Sequence, residues 1–192
     1  MADDPMGASG FAAAAHSRQH AMNALMWSER DARWRDVDWA SGQQQTSTTS
    51  VSDWMPLWAG FVEPNSRRAR RAVASLKASG LVQRAGVATT LTRSEHQWDW
   101  PNAWAPIQEA LIDGLEASGT AEGRELALEI ARNWIASNME AYSRTHYMYE
   151  KYSATEMGVG GAGGEYTPQV GFGWSNGVAL ALLSRYGDEL AV

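Results

Sequence analysis

Apolar side chains recur every three or four residues in five stretches of the chain, and each such stretch predicts a helix. Residues 12–27 combine strong helix formers with Met22, Leu25 and Met26 for burial. In residues 63–82, Asn65 or Ser66 is placed to cap a helix, Ala69, Val73 and Leu76 form its apolar stripe, and Gly80 ends it. Trp104, Ile107, Leu111 and Leu115 repeat at the same interval, with Pro101 or Pro106 near a first turn and Gly119 beyond the last. Residues 121–146 carry Leu126, Ile130, Trp134 and Met139 opposite a polar face and predict the longest helix, more than about six turns. A last helix opens near Ser175 as a candidate cap and buries Val178, Leu182, Leu183 and Tyr186. No stretch alternates apolar and polar residues for long enough to make a regular strand. The expected class is therefore all-α, with minor strand pairs at most, around Leu91 or Trp39.

The segments between these helices are of two kinds. Residues 28–39 read as a loop or short extended segment carrying Trp34, Val37 and Trp39, and the polar run that follows reads as an exposed connection. Residues 1–11 read as an irregular or non-native N-terminus. Its acids stand where a signal peptide carries bases, and its apolar run is too short for a membrane span. Localisation then defaults to the cytoplasm.

The chain has 192 residues, the size of one domain, with 44% apolar and 20% charged residues, a composition that folds. A net charge of -6 disfavours nucleic acid and anionic membrane as partners, and it leaves a neutral or cationic small ligand. The four arginines Arg67, Arg68, Arg70 and Arg71 then read as a solvated helix face. With no cysteine there is neither a disulfide framework nor a thiolate metal site. Nor do His16, His20, His96 and His146 fit a known metal motif, so no metal is expected. Gly158, Gly160 and Gly163 spell G-x-G-x-x-G. No strand precedes them, Pro168 prevents a helix from following, and no G-K-[ST] is present, so no nucleotide cofactor is expected. The glycines instead permit close approach of the backbone to a ligand, or a flexible lid.

Ten tryptophans are many for this length. Trp134 sits in a helical stripe and belongs to a core, whereas Trp98, Trp100 and Trp104 alternate with Asp99, Asn102 and two prolines and cannot share one buried helix face. Flat indole faces suit either a large core or a pocket for a flat or ring-shaped ligand. What the chain offers for chemistry is carboxylates among aromatics.

The segment "QWDWPNAWAP", residues 97–106, resembles without mismatch the second signature of the trehalase family of glycoside hydrolases, Q-W-D-x-P-N-[GA]-W-x-P. Residues 160–183, "GGAGGEYTPQVGFGWSNGVALALL", resemble the family's glycine-rich segment and the G-F-G-W-T-N-G-V run after it, with Ala162 and Ser175 as departures. "DWMPLWAG" at 53–60 is similar to a third family segment, F-x-P-L-W-A, with Trp54 in place of phenylalanine. The resemblance runs from about Ala12 onward and implies that residues 12–192 are the C-terminal part of a trehalase catalytic domain. That in turn implies part of an (α/α)6 toroid whose helices are joined by aromatic- and glycine-rich loops.

The activity implied is hydrolysis of α,α-trehalose to two glucoses with inversion. In the family's pattern, Glu150 of "EKY" is the general base and Glu165 contacts the sugar, with Trp98, Asp99, Asn102 and Trp104 as further sugar-binding candidates. The family's general acid is an aspartate in an upstream S-G-W-D-x-S segment that does not occur in this chain, and the first signature and sugar-binding arginines are missing too. Asp99 could serve as an internal acid if its flanking indoles raised its pKa, or it could bind a sugar hydroxyl or a backbone amide in a tight turn. The chain by itself is expected to be inactive, with trehalose or a related sugar as ligand and self-association through exposed helix faces. The alternative is a non-catalytic, truncated trehalase-like protein that keeps a sugar-facing surface.

Overall fold

The computed structural model describes residues 5–164 and 166–190. The described residues form six α-helices, and α4 is the centre of the packing. Helix α4 (Ala105–Ala117) rests on α5 (Ala121–Thr145), on the one-turn helix α2 (Met55–Trp58) and on α6 (Gly173–Tyr186), while α3 (Arg67–Lys77) lies against α5. The helix at the start, α1 (Pro5–Leu25), is largely exposed along its length. It begins at Pro5, so residues 5–11, expected to be irregular, are helical. Its anchor is Asn23, whose amide donates to the Phe61 carbonyl at 2.9 Å and accepts from the Trp34 indole at 2.9 Å.

The expected helix boundaries have identifiable chemistry. The Ser66 hydroxyl accepts from the Ala69 N–H at 3.1 Å to cap α3, and Thr120 does the same for α5 through Gly123 at 3.0 Å. His146 closes α5 in a left-handed conformation. Helix α5 buries Leu126, Ile130 and Trp134 as expected, but Met139 is 49% exposed. At 3.6 residues per turn, position 139 lies about half a turn away from position 130, and the buried places fall instead to Ser137, Asn138 and Ala141. Leu183 is likewise on the flank of α6, and Leu25 is exposed at the end of α1. Ser175 is not the cap of α6. The helix starts at Gly173, and Ser175, fully buried in its first turn, donates to the Tyr149 carbonyl at 2.6 Å.

Among the described residues, three two-stranded antiparallel ribbons join the helices: β1–β2 (Trp27–Ser28 with Arg33–Trp34), β3–β4 (Val82–Gln83 with Gly86–Val87) and β5–β6 (Asn102–Trp104 with Lys151–Ser153). Around Trp39 and Leu91, where minor strand pairs at most were expected, the described residues form the single bridges Val37–Gln44 and Ser50–Thr90. The third ribbon positions the site. It pairs Trp104 with Lys151 and Ala103 with Tyr152, and so joins the tryptophan segment to the residues after Glu150. Behind it Tyr152 meets Trp134 edge-on at 5.1 Å, and Gln108 of α4 pairs through its side-chain amide with both the N–H and the C=O of Val87, at 2.8 and 3.0 Å. Gln108 thus acts as one more strand residue against β4, which satisfies backbone groups that would otherwise be buried unpaired.

A second buried polar group lies away from this ribbon. The short 3-10 turn Val51–Trp54 brings Asp53 to 3.6 Å from Arg33 Nε and 3.5 Å from Arg35 Nη1, and Arg35 also forks onto Asp31 at 3.0 and 3.2 Å. Burial pushes the Asp53 carboxyl up to about 6, more than the two guanidinium groups pull it down. Among the described residues no helix is long and apolar enough to cross a membrane.

Candidate active site

Glu150 stands immediately before β6, only 3% exposed, and both of its oxygens are held. The Tyr166 hydroxyl donates to Oε1 at 2.5 Å and the Gln169 N–H donates to Oε2 at 3.0 Å. Its backbone is fixed as well. The Glu150 N–H donates to the Gln169 carbonyl at 3.0 Å, and the Trp174 indole donates to the Glu150 carbonyl at 2.7 Å. This is a carboxylate held at two points, by one side chain and one backbone N–H from the segment after the glycine run, on a backbone held at two more.

Trp174 leads from Glu150 to the tryptophan cluster. It meets Trp104 edge-on at 5.4 Å, and Trp104 in turn stacks on Trp98 at 4.0 Å with the rings 13° apart. Trp104 is 1% exposed and Trp98 is 43% exposed, so solvent reaches the ring of Trp98, and Trp104 is its backing. Trp98 borders a cavity of about 460 Å³ with Glu95, His96, Gln97 and Gly164. A larger cleft of about 710 Å³, between α1 and the start of α3, contains none of these residues.

The other expected site residues take more specific places. Asp99 accepts from the Ser94 hydroxyl at 2.6 Å and from the Thr90 hydroxyl at 2.8 Å. The Ser94 bond, helped by Thr90 and by His96 nearby, holds its carboxyl below the usual range although burial opposes it. Both bonds favour the ionised form over the proton donor that an internal acid would have to be, and the side chain braces the turn that carries Trp98 and Trp100. Asn102 is buried, and its amide both donates to the Ala162 carbonyl at 2.8 Å and accepts from the Ala162 N–H at 3.0 Å. It clamps the glycine run instead of facing the cavity. Glu165 lies outside the described residues.

The glycine run was expected to approach a ligand closely or to act as a lid. The close approach is to the protein itself. A Cβ on Gly161 would lie 2.6 Å from Asn102 Oδ1, and one on Gly164 would lie 2.8 Å from the Gln97 Cβ, at a residue whose φ of +99° already favours glycine. Lys151 completes the clamp. Its side chain is fully buried, its ammonium donates to the Gly163 carbonyl at 2.7 Å and lies 5.4 Å from the centre of the Trp104 ring, and burial lowers its pKa. Sequence reasoning gave no role to Lys151, Tyr166, Gln169 or Trp174. The last three follow the glycine run closely, and their convergence on Glu150 depends on a loop path that has no periodic signal. Among the described residues no group of three or more histidines, aspartates and glutamates could hold a metal ion.

A family model described as Trehalase matches residues 2–187. The trehalase of Arabidopsis thaliana is 39% identical over 97% of this chain and 31% of its own length, and the human trehalase is 41% identical over 90% of this chain and 30% of its own. The chain therefore spans about a third of the length of the curated relatives it matches. Among solved structures, the neutral trehalase of Saccharomyces cerevisiae superposes with a TM-score of 0.69 at 25% identity, covering 87% of this chain and 29% of that one. A mannosylglycerate hydrolase from Thermus thermophilus shares the fold alone, at a TM-score of 0.58 and 19% identity, covering 87% of this chain and 36% of that one. The helical architecture is that of the α/α toroid these proteins share. Signature, buried carboxylate and overall similarity agree, and this chain belongs to the trehalase family of glycosidases.

Proposed function

We propose that this chain supplies the base-bearing, tryptophan-lined side of a site that hydrolyses α,α-trehalose. The observation that carries the reading is the Glu150 carboxylate, buried and held at both oxygens. Such a group is preorganised to take one proton from one water without reorienting. In inverting hydrolysis that water attacks an anomeric carbon while an acid on the opposite face protonates the departing glycosidic oxygen, with the two carboxyl groups roughly 6.5–9.5 Å apart. The bond formed is carbon to water oxygen and the bond broken is carbon to glycosidic oxygen. The attacked sugar leaves as β-glucose and the other as α-glucose.

The remaining roles follow from exposure and contact. Trp98 offers its solvent-facing ring to the apolar face of a pyranose, and Trp104 holds it flat from behind. Asp99 and Asn102 act one step back, by bracing the turn and the glycine run. Glu165 keeps the sugar-contact role that the family pattern gives it.

The Ser94 and Thr90 bonds favour ionised Asp99, so in this reading the proton for the leaving glucose comes from the aspartate of the family pattern's S-G-W-D-x-S segment. General acid assistance contributes about 10²–10⁴-fold, and loss of positioning removes more. The purified 192-residue chain is therefore expected to release no measurable glucose from trehalose in a coupled assay in which a full-length trehalase serves as control. Release within about a hundredfold of that control would mean that a carboxyl group of this chain supplies the acid.

A further inference from the structure

Of the groups that hold Glu150, Tyr166 differs from the rest. Gln169 and Trp174 contact it through backbone N–H or carbonyl, whereas Tyr166 makes a side chain to side chain bond to the carboxylate itself, at 2.5 Å. Its ring is 46% exposed, so core packing does not require it. It also follows directly on the glycine run, whose backbone is anchored by Asn102 at Ala162, by Lys151 at Gly163 and by Glu95, whose carbonyl accepts the Gly164 N–H at 2.9 Å. A hydroxyl is therefore brought to the base by a loop that is pinned at three successive residues, Ala162, Gly163 and Gly164.

We propose that Tyr166 is a positioning residue for Glu150: its hydroxyl fixes the carboxylate in the orientation from which it takes a proton from water. This rests on the reading of Glu150 as the base. A carboxylate oxygen has two acceptor directions. With Tyr166 in one direction on Oε1, and Gln169 holding Oε2, rotation of the carboxylate is blocked and the acceptor directions left open are fixed in space. Without the phenol, Oε1 is free to turn while Oε2 stays tethered. The water would then meet the base at a distribution of angles, and misplacement on the scale of 1 Å costs about a hundredfold in rate. Tyr166 does not touch the sugar in this account, so binding is untouched by its loss.

The contact has its own signature in this chain. The bond to Glu150, followed by partial burial and the carboxylate charge, raises the Tyr166 pKa above the ordinary tyrosine value. With tyrosine labelled at the ring carbon that bears the oxygen, NMR titration of the 192-residue protein should show Tyr166, assigned by its loss in Y166F, ionising later than free tyrosine. In E150Q it should move back toward the free value. In a trehalose-hydrolysing enzyme that carries these residues, Y166F should lower kcat by about 10- to 100-fold and leave KM within about twofold. A Tyr166 that titrates normally in the wild type, or ignores E150Q, overturns the contact. A Y166F enzyme with normal kcat, or with a raised KM alone, overturns the positioning role. E150Q kinetics keep the two readings apart: if E150Q is as active as wild type, Glu150 is not the base, whereas an inactive E150Q beside a normal Y166F removes Tyr166 alone.

Discussion

Replacement of Glu150 by Gln should lower kcat for trehalose by about three orders of magnitude or more, with little change in KM, in a hydrolysing enzyme that carries this chain. The substitution is close to a pure removal of basicity. An amide has the shape of the carboxylate, its oxygen can still accept the Gln169 N–H, and its NH2 can donate to the Tyr166 oxygen, so both contacts seen at Glu150 survive with the tyrosine bond reversed. What the amide cannot do is take a proton from water. General-base assistance alone is worth about 10²–10⁴-fold, and an inverting glycosidase has no covalent intermediate through which to bypass it. Sugar binding through the exposed face of Trp98 does not involve Glu150, which is why KM should hold. A near-normal kcat would move the base to another carboxylate, Glu165 first.

The second large effect concerns Asp53 and stability. Relative to D53N, the wild-type chain should lose up to about 2 kcal/mol of stability as the pH rises from about 4.5 to about 7. The folded carboxyl is raised from 3.8 to about 6, chiefly by burial, with Arg33 and Arg35 opposing and Asp36 adding to the shift. A raised pKa means that the folded state holds a proton the unfolded state has already released. The stability from this group is therefore complete below the unfolded value and is lost as the pH climbs through the folded one. Asp31, which shares Arg35 with Asp53, has a carboxyl held below its usual range despite burial, by its bonds to Arg30 and Arg35. It titrates at the acid end and is common to both proteins, so it largely cancels in the comparison. Urea unfolding of the two proteins across this range gives the difference directly. Parallel curves would mean that Arg33 and Arg35 hold Asp53 ionised throughout.

Helical periodicity made α3, α4, α5 and α6 legible in the sequence, because each buries a stripe that recurs at three and four residues, and the caps at Ser66 and Thr120 are of the types that satisfy a first turn. Ser175 shows the limit of that reading. It is a serine at the right place for a cap, yet it lies inside the helix because the hydroxyl finds the Tyr149 carbonyl instead. The ribbons were illegible for a simpler reason, since strands of two or three residues are too short to alternate. At the site, the family motif pointed to Glu150 and Trp98, but a motif says nothing about which way a side chain faces. Asn102 reads as a sugar contact in the signature and is spent on Ala162. Asp99 reads either as a desolvated acid between indoles or as a hydrogen-bonded turn residue, and the choice turns on Ser94 and Thr90, outside the signature, which reach its oxygens. Tyr166 and Gln169 became visible only when the glycine run folded back on Gln97 and Asn102 and set them over the carboxylate.

The central claim, that Glu150 directs water at an anomeric carbon of trehalose opposite a separate acid, is tested most directly by the anomers first formed. Proton NMR during the first minutes of trehalose hydrolysis by an enzyme carrying this chain resolves α- from β-glucose before they interconvert. The account predicts the two in equal amounts from the start, and neither from E150Q. α-Glucose alone at early times, which retention would give, or undiminished release by E150Q, would contradict it.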